Sequence, residues 1–109
     1  MRLIILYGPP ASGKLTVAKS VAKASGYPLF HNHMVADFAS TLFAYGTDGY
    51  ATFSEKLRST AVDAAIKENH SGLVMTFAYG VETSGGKRDD AVLKSIANRV
   101  ARSGGSMLF

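Results

Sequence analysis

Four residues near the amino terminus have the types and spacing to hold a phosphate: Gly8, Gly13, Lys14 and Thr16, within Gly8-Pro9-Pro10-Ala11-Ser12-Gly13-Lys14-Leu15-Thr16. The glycines allow positive φ and let main-chain N–H groups approach phosphate oxygens with no side chain in the way. In such a bend the amides of Ala11, Ser12, Gly13, Lys14, Leu15 and Thr16 would surround the anion, and the Lys14 ammonium would reach the β and γ phosphates. The Gly-x4-Gly-Lys (Walker A) spacing gains meaning where a strand precedes it and a helix follows. The helix start adds unpaired N–H donors and a partial charge of about half a unit. The expected ligand is ATP or a close relative, with Mg2+. One position departs from the usual pattern: Leu15 stands where Ser or Thr commonly holds magnesium, and the hydroxyl comes one residue later, at Thr16.

A second group is His31-Asn32-His33-Met34-Val35-Ala36-Asp37. In open α/β sheets ligands lie beyond the carboxyl ends of the strands, so residues that follow a strand are acceptor-side candidates. His33 and Asp37 stand four apart; if a helix begins near His33 they share a face and could hydrogen-bond, which makes either one a candidate acid, base or orienting group. A structural role for both is the competing reading. His31 and His33 lack a recognisable third ligand for a metal, and the contiguous letters His-Asn-His do not match the dispersed histidines of the nuclease motif of that name. Further on, Glu82 is the nearest carboxylate to the apolar run 73–79, displaced from where a magnesium-orienting acid would close a strand. Lys87 and Arg88 could meet an anion but read more simply as a solvated pair.

The elements that must position these residues follow from hydrophobic periodicity. Residues 2–7 form a continuous apolar run ended by Gly8-Pro9-Pro10, as in a buried parallel strand. Leu15, Ala18 and Ala22, with Val17 and Val21 beside them, predict a helix that stops at Gly26. A short strand is expected over 27–31. Met34, Val35, Phe38, Leu42 and Phe43 predict the apolar face of a helix that ends at Gly46. Thr52-Phe53-Ser54-Glu55 has the form of a capping box opening a helix with Phe53, Leu57, Ala61, Ala64 and Ala65 inward, closed by His70-Ser71-Gly72. A third strand is expected over 73–79, then a glycine-bearing loop over 80–87. Asp89 and Asp90 suit a helix start, and Val92, Leu93, Ile96 and Val100 form its inner stripe. Met107-Leu108-Phe109 reads as half of a fourth strand. Strands alternating with helices predict an α/β fold, a three-layer parallel sheet in one domain over 1–109. The exposed edge of the half-strand suggests an incomplete fold, or a homo-oligomer whose copies complete the sheet.

Composition agrees. The 109 residues are 47% hydrophobic and 18% charged, which fits a folded domain. A net charge of +4 without a Lys/Arg run suits an anionic small molecule and gives no reason to expect nucleic acid. The absence of Cys fits a reducing compartment, and no apolar run is long enough for a leader or a membrane span, so a cytoplasmic protein with no membrane contact is expected.

The form Gly-x-Pro-x-Ser-Gly-Lys-x-Thr resembles the phosphate-binding loop of adenylate kinase and other nucleoside monophosphate kinases. More broadly, residues 6–18 followed by Leu29-Phe30-His31-Asn32-His33 look like P-loop kinase-like proteins grouped with shikimate kinases and AAA-type ATPases. The resemblance is specific over residues 1–37 and architectural beyond. It implies P-loop NTPase topology of the kinase type and transfer of the γ-phosphoryl of Mg-ATP to a small-molecule acceptor. Lys14 would be the catalytic cation, and Thr16 would take the magnesium role directly or through water. It also implies that a lid with arginines and an adenine loop would lie past Phe109. The competing expectation is a nucleotide-binding module without activity, or an inactive fragment of such a kinase.

Overall fold

Four strands and four helices alternate in a parallel α/β arrangement, as a computed structural model describing residues 1–7, 14–77 and 86–108 records it; for Tyr7, Lys14 and residues 86–90 only the backbone is described. The first strand, β1 (Arg2–Tyr7), covers the apolar run of the sequence. Helix α1 (Lys14–Ser25) follows, and Gly26 closes it at φ 75°, a backbone that a side chain would strain, with its N–H bonded to the Ala22 carbonyl. Strand β2 (Leu29–Phe30) has only two residues, fewer than the expected 27–31. Then come α2 (Asn32–Leu42), α3 (Asp48–Lys67), β3 (Gly72–Phe77), α4 (Gly86–Arg102) and β4 (Ser106–Leu108).

All strand pairings are parallel, in the order β2-β3-β1-β4. Because β1 and β3 are interior, they carry the densest apolar packing: Leu3, Ile5, Leu73, Met75 and Phe77 are buried against Val62 and Ala65 of α3 and Val92, Ile96 and Val100 of α4. Strand alternation turns Ile4, Leu6, Val74 and Thr76 to the other face, where α1 lies across β1, β2 and β3 and buries Ala18. An exposed ion pair, Arg99 to Asp63 at 2.5 Å, ties α4 to α3; at that exposure such a pair contributes about 0–1 kcal/mol. Among the described residues no helix is long and apolar enough to cross a membrane.

The expectations for α2 and α3 need correction. Helix α3 begins at Asp48, not near Thr52, because Thr47 caps it: its side-chain oxygen accepts from the Tyr50 N–H and its carbonyl accepts from the Ala51 N–H. Ser54 is therefore buried inside the helix, where its hydroxyl donates to the Tyr50 carbonyl. The inner side of α3 is Tyr50, Ala51, Ser54, Val62 and Ala65, whereas Phe53, Leu57 and Ala61 are half-buried and Ala64 is exposed. In α2 the buried residues are Asn32, Val35 and Ala39, and Met34, Phe38 and Leu42 face out; small Ala39 lets α2 lie close to its neighbour, a contact that the bulky stripe would hold apart. In α1, Val17 faces solvent. By contrast, α4 buries Val92, Ile96 and Val100 as its periodicity requires, with Leu93 partly buried, although it begins at Gly86, ahead of Asp89. The expected strand positions 78 and 79, the loop from Gly80 through Glu82, and Phe109 lie outside the described residues.

Strand β4 is seated by a close approach. Gly105 donates to the Val100 carbonyl and Ser106 to the Met1 carbonyl, and a Cβ on Gly105 would collide with the Met1 carbonyl oxygen and crowd Val100. Gly105→Ala should therefore lower stability by about 1–3 kcal/mol, read as a fall in Tm of about 4–8 °C for each kcal/mol. An unchanged melting curve would contradict this seating of β4.

Candidate functional site

The parallel register brings three strand ends to one edge. Tyr7 pairs with Phe77 and Phe30 with Met75, so the residues after β2, His31 and Asn32, come level with Thr76 and Phe77. The chain leaves the same edge at Tyr7 to enter residues 8–13, and it returns as the first turn of α1 at Lys14. Gly8, Ala11, Ser12 and Gly13 lie outside the described residues, as does the Lys14 side chain. Leu15 is partly buried and Thr16 is exposed in the first turn of α1, which leaves the Thr16 hydroxyl open to a ligand at the helix start. That hydroxyl is the only non-backbone donor the described part of this turn offers a magnesium ion. Such an ion keeps several waters and otherwise binds phosphates and one or two carboxylates, which makes a single hydroxyl a compatible, partial ligand set.

On the acceptor side a buried polar clamp organises the edge. Thr76 is fully buried, the sole hydroxyl in the apolar run of β3. Its Oγ1 accepts the Asn32 main-chain N–H at 2.7 Å and lies 3.0 Å from His31 Nδ1. A hydroxyl that accepts from Asn32 still has a proton to give and a second lone pair to share, so the direction of its bond with Nδ1 follows the imidazole tautomer. The clamp fixes the turn between β2 and α2, and the helix starts at Asn32 with no side-chain cap from His31.

The buried Asn32 side chain carries the second link. Its Oδ1 accepts from Arg58 Nη2 at 2.6 Å, and the Arg58 guanidinium lies over the Phe77 ring, 4.7 Å from the centroid. A charge-assisted hydrogen bond and a cation–π contact hold the planar cation at the carboxyl edge. Arg58 thus brings a cation from α3 to the end of β3, beside the turn that carries the two histidines. Asn32, Arg58 and Thr76 are the site residues that motif reading passed over. Thr76 had a visible signal, a hydroxyl inside a run of buried apolar residues; Arg58 had none, because a lone Arg on a helix reads as solvated.

His33 and Asp37 do share α2 and are both exposed, but no hydrogen bond joins them. His33 instead stacks at a tilt on His31, with ring centroids 4.8 Å apart. The expected His33–Asp37 pair is replaced by a His31–His33 pair because the Thr76 clamp holds His31 at the start of α2. No group of three or more His, Cys, Asp or Glu that could hold a metal occurs among the described residues. Glu82 and the side chains of Lys87 and Arg88 lie outside the described residues.

Thr76→Val keeps the shape of the side chain and removes the hydroxyl, which leaves the buried Asn32 amide unsatisfied. The expected loss is about 1–3 kcal/mol in urea unfolding, with Thr76→Ser close to the parent. Equal stability of Thr76→Val and the parent would contradict the clamp.

No protein-family model, no curated protein and no solved structure matches this chain, so what the site can do follows from its own residues.

Proposed function

We propose that this chain is an ATP-binding, kinase-like P-loop protein that transfers the γ-phosphoryl group of Mg-ATP to a small-molecule acceptor. The observation that carries the reading is that the interior strand β1 ends at Tyr7 and α1 begins at Lys14, so a strand and a helix flank the Gly8-to-Gly13 stretch of the sequence. A glycine-rich bend at that point can aim main-chain N–H groups and the start of a helix at one anion. The strand order supports it as well. The connection from β1 crosses β3 to reach β2, and the connection from β3 crosses β1 to reach β4, so the two chain exits diverge at neighbouring strand ends and leave a crevice between them.

In this reading Gly8, Ala11, Ser12, Gly13, Lys14, Leu15 and Thr16 bind the phosphates, and Thr16 meets magnesium directly or through water. ATP would supply the transferable phosphoryl group and Mg2+ would offset its charge. The acceptor would enter over the β2 and β3 ends. There Asp37 or His33 would orient its hydroxyl or take its proton, and Arg58, held by Asn32 and Phe77, would supply positive charge. One observation favours a second reading, a nucleotide-binding module without turnover: among the described residues β3 ends in Thr76-Phe77, without a carboxylate that would fix magnesium. The chemistry of either reading suits the interior of a cell, and neither calls for nucleic acid.

Calorimetry with ATP and Mg2+ separates the readings. Lys14→Ala should weaken ATP binding by about 10- to 100-fold, the equivalent of one charged hydrogen bond; unchanged affinity would remove the proposal. Asp37→Asn should keep ATP affinity while lowering the transfer rate to a hydroxyl acceptor found by panel screening. Tight ATP binding by the parent with no consumption across the panel would favour the module.

A further inference from the structure

The outward face of α2 is apolar, and we propose that it pairs with the same face of a second copy of this chain to form a twofold dimer. Met34, Phe38 and Leu42 are 56, 54 and 57% exposed and recur every four residues, a ridge about 12 Å long along the helix. Beyond the helix, Phe43 and Tyr45 continue the patch at 40 and 60% exposure. These side chains are held in place from behind. Phe53 of α3 meets both the Phe38 and the Phe43 rings, at 5.5 and 5.9 Å between centroids, and Tyr45 meets the Tyr50 ring edge-on at 5.2 Å. The patch is therefore a fixed surface whose ordering cost is already met within one chain.

Area and charge select the occupant. Side chains of this size at about half exposure present roughly 100 Å2 each, roughly 500 Å2 in all, and two copies face to face would remove about 1,000 Å2, where specific interfaces begin. The segment 38–47, Phe-Ala-Ser-Thr-Leu-Phe-Ala-Tyr-Gly-Thr, contains no charged residue. The Lys and Arg residues behind the net charge of +4 lie outside both α2 and this segment, so pairing sets no cation against its own copy; the charges at its margins are Asp37 and Asp48. Helix α2 lacks the Lys and Arg by which interfacial helices hold a membrane surface. A ridge of residues four apart is also the form that fits the matching groove of an identical helix. This contact lies on a helix, apart from the β4 edge where sheet completion was expected from the sequence.

Sedimentation velocity at roughly 100 μM, a concentration that populates interfaces of even modest affinity, should give twice the 11.6 kDa chain mass. The double variant Phe38→Glu, Leu42→Glu should sediment as a monomer, and Val17→Glu on the exposed face of α1 should remain a dimer. The chain has no Cys, which provides a readout that does not depend on tolerating the charges: Thr41→Cys, exposed beside the ridge, should be joined into a covalent dimer by a short bis-maleimide, and Lys23→Cys on α1 should not. A monomeric parent, a double variant that stays folded and dimeric, or equal cross-linking of the two cysteine variants would overturn the proposal.

Discussion

Everything at the carboxyl edge depends on the parallel pairing of β1 between β3 and β4. Parallel neighbours cannot be joined by a tight hairpin, so each strand must hand the chain to a crossing helix before the next begins. Those handovers all start at the same edge. With Tyr7 level with Phe77, the glycine-rich segment after β1 and the turn after β2 begin within a short reach of each other. The pairing also explains the uniform burial of β3, which has strands on both sides and helices on both faces.

A fully buried polar residue in such a strand is stable only when its hydrogen bonds are made inside the protein. Thr76 meets that condition by binding the residues that follow the adjacent strand, so the requirement of the core becomes the geometry of the edge. Asn32 passes the constraint outward: its main chain is fixed by Thr76 and its side chain fixes Arg58. The hydrogen bond and the ring face together fix the guanidinium at the end of β3.

The elements of this fold were legible wherever one face of the chain had to be apolar for a single reason. The strand 2–7 and the Val92, Ile96 and Val100 stripe of α4 follow their patterns, since each packs against the central core. Helix α2 misled because its larger apolar residues, Met34, Phe38 and Leu42, form a better stripe than the Val35 and Ala39 that are buried; size and periodicity do not report which of two apolar faces packs inward. Helix α3 misled because Thr52 to Glu55 imitates a cap, while Thr47 makes the cap bond. At the site, His31 and His33 drew attention through their chemistry, yet the residues that anchor their turn, Thr76 on His31 and Arg58 on Asn32, lie about 45 and 26 positions away. Contacts over such separations leave no local pattern.

The central claim is that main-chain amides at the end of β1 and the start of α1 surround a phosphate. Amide chemical shifts in a nitrogen-15 labelled sample, followed as ADP is added, report on those groups one by one. The account predicts large, saturable downfield movements of the Gly13, Lys14, Leu15 and Thr16 amides, with smaller changes at His31 and Asn32. A titration in which those four amides stay still, or in which the main movements fall elsewhere on the sheet or helices, would contradict it.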